Sequence, residues 1–326
     1  MEWGIEELLS NIGIQYNYEG TSRKVKGVSS IYNAKEDDLS FCFYDGEKGN
    51  SLISKSNAGT ILCTKSLEGL VHPSFDGQQL FFVENPKFAL VQIMSQIYKK
   101  RILVGISPTA VISESAKIGS NCFIGNFTEI GENCGIGDNT VIYNRTSIMQ
   151  NSSIGSGCII GPGVNIGNDG FAFVRHESGE PERFPHLKGV KIGNNVDISG
   201  NSNVDRGSLS DTIIGDSTKI DALVHVAHNV TIGRNCELTG GTIIGGSTTI
   251  GDTCWTGLNS TLKDRIRVGK NVLVAAGAVV IHDVDDGDIV AGVPARSIKN
   301  KITTDKVRLF MMAGQKSAAK KEISIL

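Results

Sequence analysis

The side chains of this chain that are equipped for chemistry are few and unevenly spread. Its six histidines stand at 72, 176, 186, 225, 228 and 282, and two of them fall within His225-Val226-Ala227-His228-Asn229. Imidazole titrates near neutral pH, so such a pair can move a proton, ligate a metal, or form no more than a solvated surface. Seven cysteines, at 42, 63, 122, 134, 158, 236 and 254, include no Cys-x-x-Cys pair and signal neither a zinc site nor a disulfide framework. A third candidate region runs from Asn168 to Lys191, rich in charge, aromatic residues and proline, and includes Asp169-Gly170-Phe171. The formal net charge of -2 offers no basic footprint for nucleic acid. The opening residues, Met1 to Glu7, lack a cationic stretch followed by an apolar one, and nowhere do 18 apolar residues run together, so a cytoplasmic protein with no transmembrane segment is expected.

The elements that must position these residues are written in a period of six. Isoleucine occupies 112, 118, 124, 130, 136, 142, 148, 154, 160 and 166. After the interruption at 168–191 the beat resumes at Ile192, Ile198 and Val204, shifts, and continues from Ile214 through Ile220, Val226, Ile232, Leu238, Ile244 and Ile250 to Val280. A glycine follows many of these aliphatics, which accounts for much of the 39 glycines in 326 residues, roughly 12% where about 7% is usual. Six residues fit neither an amphipathic helix nor a simple alternating strand. They fit a hexapeptide β-helix, with the aliphatic pointing inward and the glycine at the corner, where its backbone freedom would serve the turn. Five of the cysteines (122, 134, 158, 236, 254) lie four places after a beat aliphatic, a slot elsewhere held by Thr128, Thr140, Ser152, Val164 and Thr218, and so read as small core-lining residues. Around Val226 the strand alternation turns His225 outward and sets His228 inward or at the corner.

Three regions follow. Residues 1–104 lack the beat and read as a small α/β domain: a helix opening on Ile5, Leu8, Leu9 and Ile12, strands at Leu39–Tyr44, Gly59–Cys63 and Leu80–Val83, and a helix from Pro86 to Lys100. The β-helix covers 105–293, with the loop 168–191 on its binding face. In 294–326 a C-terminal helix is expected over Asp305–Lys321. The fold class is therefore mainly β.

Hexapeptide coils resemble the left-handed parallel β-helix of acyltransferases. An ordered set of segments narrows the likeness: Gly167-Asn168-Asp169-Gly170-Phe171, Asp205-Arg206-Gly207-Ser208-Leu209, Asp211-Thr212-Ile213-Ile214-Gly215 and Val226-Ala227-His228-Asn229-Val230, together with Gly27-Val28-Ser29-Ser30, Leu39-Ser40-Phe41 and Asn85-Pro86-Lys87. Across nearly the whole chain the sequence resembles the UDP-3-O-acylglucosamine N-acyltransferases of lipid A synthesis. The resemblance implies a homotrimer with sites between neighbouring coils, a nucleotide-binding N-terminal domain, and an acyl thioester co-substrate with no prosthetic group. It assigns His228 as the base that takes a proton from the sugar amine and Gly246 as the backbone N–H facing the oxyanion. It places Asp169, Gly170 and Phe171 at the acceptor and Phe41 at the nucleotide; Tyr44, Asp221 and His225 are further substrate-binding candidates, and Arg265, Ala276, Gly277 and Arg296 are candidates along the donor. One carbonic anhydrase class binds zinc through histidines of such a coil, but here the remaining histidines lie in the loop or out of register, and no metal is expected.

Three departures from the family shape the functional expectation. The position 37 residues after His228, where the lipid A enzymes carry a second histidine, is Arg265. Tyr44-Asp45-Gly46-Glu47 stands in place of the family's nucleotide loop, and Ala291-Gly292-Val293-Pro294-Ala295-Arg296 resembles the tail of CoA-dependent sugar acetyltransferases. The first expectation is therefore an N-acyltransferase that uses acyl-CoA to acylate a dTDP- or UDP-linked amino sugar for surface polysaccharide. The second is the lipid A enzyme itself with an acyl carrier protein donor, and the third a non-catalytic trimeric nucleotide-sugar-binding β-helix.

Overall fold

The six-residue beat closes into coils of three short strands. Each beat aliphatic ends a two-residue strand, such as Phe123–Ile124, Glu129–Ile130 and Gly135–Ile136. Away from the interruption each strand pairs in parallel with the one 18 residues on: Phe123 with Val141, Glu129 with Ser147, Gly135 with Ser153. The computed structural model describes residues 2–98 and 103–299 and divides into two compact units, one on either side of that gap. In the second unit the strands build three faces. Face one has 11 strands including Phe123–Ile124, face two has 9 including Glu129–Ile130, and face three has 8 including Gly135–Ile136. This is the parallel β-solenoid expected from the beat, consistent with the left-handed type.

The interior explains the slot four places after each aliphatic. Ile124, Ile142, Ile160, Val226 and Ile244 are buried, as are Cys122, Cys158, Cys236, Thr140 and Thr218 between them. Thr140 Oγ1 donates to the Gly155 carbonyl of the next coil at 2.8 Å, and Cys254 Sγ lies 2.9 Å from the Gly269 carbonyl in the same way. The slot takes a small residue that can donate, because a corner carbonyl of the coil above needs a partner. Burial pushes the thiols of Cys63 and Cys158 up, which leaves them poor nucleophiles.

The corner glycines need a different reason from the one their sequence position suggests. The left-handed residue of each turn is the third after the aliphatic and is more often asparagine than any other residue: Asn121, Asn133, Asn139, Asn151, Asn195, Asn229 and Asn235 have φ between 54 and 62°. Except at Gly167, the glycine directly after the aliphatic has an ordinary φ, but a Cβ on Gly251 would stand 2.8 Å from the backbone of Gly269 and Lys270 in the next coil. Close stacking, and not backbone freedom, keeps it glycine.

The interruption at 168–191 leaves face two after the strand Asn165–Asn168 and returns to face three at Val190–Ile192. The ladders run past it without a break, Ser153 pairing with Lys191 and Asn165 with Asn203. The loop carries its own antiparallel hairpin, Phe173–Arg175 against Pro181–Arg183. At the far end the chain passes a cis Val293–Pro294 bond and Arg296–Ser297 pairs antiparallel with Ile289–Ala291. The helix expected over Asp305–Lys321 lies outside the described residues.

The N-terminal unit is α/β. Its five-stranded sheet runs in the order Asn17–Gly20, Gln79–Val83, Thr60–Thr64, Asp38–Cys42, Gly27–Val28, parallel except for the first strand. Helices α1 (Ile5–Asn11) and α3 (Pro86–Ile97) cover one side through Ile5, Leu9 and Ile93 against Leu39, Leu62 and Phe81. On the other side α2 (Gly46–Ser54) sets Ile53 against Ile61 and Cys63. Sequence patterning does not announce α2, whose Gly46, Gly49 and Asn50 are poor helix formers. Gly49 is required there because a Cβ would stand 2.3 Å from the Tyr44 carbonyl oxygen.

Candidate active site

The strand His225–Val226 on face two delivers its chain into the corner between faces two and three, and His228 sits at that corner, half-buried. Its Nδ1 lies 2.8 Å from Asn229 Oδ1. The orientation of that amide is anchored, because Asn229 Nδ2 donates to the Ser210 carbonyl at 2.8 Å and Oδ1 accepts from Ser208 Oγ at 2.8 Å. Facing a fixed acceptor, Nδ1 must carry the hydrogen, which leaves the Nε2 lone pair outward and available to take a proton.

Two glycines flank the ring. A Cβ on Gly170 would come 2.7 Å from His228 Cδ2, and one on Gly246 would come 2.8 Å from Nε2 and Cε1. Gly246 also interrupts a regular device of the fold. At other corners the N–H two places after the aliphatic is capped by an Asp or Asn of the next coil, as Ser120 N by Asp138 Oδ1 at 2.7 Å and Arg234 N by Asp252 Oδ1 at 2.9 Å. Here Gly245 N and Ser247 N join the ladder, bonding to the Leu262 and His228 carbonyls, and Asp264 instead faces Lys263 and Arg265. Among the described residues the Gly246 N–H therefore has no protein acceptor, close to the reactive nitrogen of His228.

A buried carboxylate lies on the same side. Asp205 is 6% exposed and accepts from Asn203 Nδ2 at 2.6 Å, and Asn203 Oδ1 in turn accepts from Asn168 Nδ2 at 3.1 Å. His225 Nε2 stands 3.7 Å from Asp205 Oδ2. Burial raises the Asp205 carboxyl above its ordinary range, against the opposing pull of Asn203 and of the imidazoles of His225, His228 and His186. His186, from the returning arm of the loop, packs edge-to-face on His228 with ring centroids 5.4 Å apart. Sequence reasoning placed His186 only in the loop and missed that the loop folds back onto this corner. The Asp205-Arg206-Gly207 motif was its one available signal.

The expected residues divide between two corners. Asp169, Gly170, Phe171, His228, Gly246 and Arg265 all belong to the corner between faces two and three. Phe171 is 88% exposed and meets Phe173 edge-to-face, with Arg183 over the Phe173 ring. Arg265 is two coils beyond His228, about 10 Å along the axis at the usual strand spacing, and its side chain is open to solvent. Asp221, Ala276 and Gly277 sit at the corner between faces one and two instead. There the Asp221 carboxylate accepts from Ala222 N and Gly240 N, a structural use. Arg296 Nη1 donates to the Ala295 carbonyl of its own hairpin. In the N-terminal unit Phe41 is partly buried against the core while stacking at 6.0 Å on exposed Phe43, which meets Tyr44 at 4.3 Å beneath Lys48. No group of three or more His, Cys, Asp or Glu side chains among the described residues is arranged to hold a metal.

A parallel solenoid with such a corner defines the class of hexapeptide-repeat acyltransferases. The family model described as bacterial transferase hexapeptide (six repeats) matches residues 133–168 and 211–246, and that described as hexapeptide repeat of succinyl-transferase matches 247–281. Within this class the chain belongs to the UDP-3-O-acylglucosamine N-acyltransferase family. It is 42% identical over 287 residues to the Campylobacter curvus protein of that name, covering 85% of this chain and 89% of that one. To the Campylobacter concisus protein it is 41% identical over 297 residues, 87% of this chain and 92% of that one. Among solved structures, the Francisella novicida UDP-N-acetylglucosamine acyltransferase aligns with a TM-score of 0.55 at 27% identity, over 64% of this chain and 77% of that one.

These relatives bear out the expectation of an N-acyltransferase and overturn the first expectation of its substrates. An acyl-CoA enzyme for a surface-polysaccharide sugar rested on the departures at 44–47, 265 and 291–299, whereas likeness at about 42% identity across most of the chain follows the UDP-3-O-acylglucosamine enzymes. The tail that suggested CoA has a structural use here, closing face one through the Arg296–Ser297 strand.

Proposed function

We propose that this protein N-acylates UDP-3-O-acylglucosamine with a 3-hydroxyacyl group carried as a thioester on acyl carrier protein, in the cytoplasm and as a homotrimer. The observation that carries the catalytic assignment is His228 Nδ1 held 2.8 Å from Asn229 Oδ1 while Gly246 packs against Nε2. The amine nitrogen attacks the thioester carbonyl carbon, and His228 Nε2 takes the proton released from that nitrogen. The carbonyl oxygen gathers negative charge facing the Gly246 N–H. Collapse of the tetrahedral intermediate breaks the C–S bond, and the proton held on His228 passes to the departing thiolate. No metal or prosthetic group enters these steps.

Support for the acceptor side comes from the loop residues Asp169, Gly170 and Phe171, which share the His228 corner, and for the nucleotide from the exposed Phe43–Tyr44–Lys48 surface beside Phe41. Asp221, Ala276 and Gly277 lie on another corner of the same chain, so a role for them at this site requires a neighbouring subunit. Arg265 and Arg296 are exposed, and in this reading they meet the acidic carrier or its phosphopantetheine phosphate.

The test is thiol release from 3-hydroxyacyl carrier protein with UDP-3-O-acylglucosamine, with acyl-CoA donors as comparison. Turnover with the carrier-bound donor is expected, and His228→Ala should lower kcat by about 10²–10⁴-fold. No thiol release with this acceptor would sink the substrate assignment, and full activity in His228→Ala would sink the base.

A further inference from the structure

We propose that His186 is a further acceptor-site residue, whose buried imidazole hydrogen-bonds an oxygen substituent of the sugar ring beside the reacting amine. The proposal rests on the acyltransferase reading of His228.

His186 is 7% exposed, yet among the described residues neither Nδ1 nor Nε2 has a hydrogen-bond partner. A buried imidazole with both nitrogens unpartnered is uncommon, since removal from water must be offset by some hydrogen bond. It is not a side chain left loose. The residues that follow it are pinned, Leu187 N donating to the Ser208 carbonyl at 2.9 Å and Lys188 N to the Gly207 carbonyl at 3.1 Å. Its ring is set nearly perpendicular, at 78°, against that of His228. A buried ring beside the reactive imidazole, with both nitrogens unused among the described residues, suits a polar ligand group that arrives later.

The chemistry of the two substrates identifies which one. With the amine at His228 Nε2 and the thioester carbonyl above it, the donor brings one carbonyl oxygen, already facing Gly246, and a 3-hydroxyl that stands one bond farther from the reacting nitrogen than the sugar's own substituents. The amino sugar brings oxygen atoms on the carbons adjoining the amine. These are the groups nearest a second imidazole next to the first, and because the adjoining oxygens carry the diphosphate and the acyl ester, the imidazole N–H donates to them. The loop that carries Gly170 under the His228 ring thus also carries the group that would hold the acceptor to it.

Steady-state kinetics of His186→Phe and His186→Gln test this. Phenylalanine keeps the edge-to-face packing and removes both nitrogens. It is expected to raise the acceptor KM about tenfold, the scale of one lost hydrogen bond, while the carrier-protein KM is unchanged and kcat stays within about threefold. His186→Gln should recover part of the acceptor KM. An acceptor KM unchanged in His186→Phe would overturn the proposal. So would a loss confined to kcat, since the ring would then act only by positioning His228. If His186→Phe does not fold, His186→Leu is read by the same criteria. A wild-type protein that never turns over this acceptor would remove the underlying functional reading, whereas an active wild type with an indifferent His186→Phe would remove only this inference.

Discussion

An imidazole becomes a directed base only when one of its nitrogens is committed elsewhere, and in this protein the commitment runs from His228 through Asn229 to Ser208 and Ser210. Asn229→Ala should therefore free the tautomer and lower kcat by about 10–100-fold, with the acceptor KM little changed. Steady-state kinetics decide it, and an unaltered kcat would show that the ring needs no such anchor. Asp205 gives a second expectation. Its carboxyl is raised by burial, above the unfolded value of about 3.9. Whatever stability the wild type draws from this group is present below that value and is lost as pH rises through the raised one. The melting temperature of the wild type relative to Asp205→Asn should accordingly fall as pH rises above about 4. A difference that grows over that window would show that the surrounding imidazoles outweigh the cost of burial.

At the scale of the coil, the two conspicuous turn residues exchange the roles their types suggest. Gly251→Ala keeps an ordinary φ but drives a Cβ into the backbone of the next coil, and should cost about 1–3 kcal/mol as an overpacking change. Asn139→Gly, at φ 57°, relieves a left-handed residue and should be near neutral. Denaturant melts of the two variants distinguish them, and the reverse order would refute the stacking account. The same contrast marks what could be read beforehand. The inward Ile and the small core-lining slots of Cys and Thr are legible, because they repeat every six residues in a single chain, whereas the donation of these side chains to the next coil is not. Nor is the crowding of Gly251, since it depends on atoms 18 residues away. His186 escaped for a similar reason, since an irregular loop has no period from which its return could be inferred. Helix α2 was hidden by its glycines, one of which a carbonyl contact requires.

At the scale of the whole molecule, the proposed site is gathered on one corner of a prism whose other residues of interest lie on another. Leu209, Ile213, Leu223 and Ile243, in the coils around His228, are exposed in the single chain. Light scattering of the purified protein should give about three times the chain mass of 34.8 kDa. A monomer with full activity would refute the shared site. No helix among the described residues is long and apolar enough to cross a membrane. The unbroken ladders beneath the insertion carry a last consequence. Because Ser153 already pairs with Lys191 and Asn165 with Asn203, the hairpin between Phe173 and Arg183 contributes nothing to the continuity of the rod. A protease nick at its tip would leave two fragments zipped together over all three faces, and the halves could be expressed separately and reassembled. The scaffold of this protein is thus divisible at the very place where its proposed chemistry is concentrated.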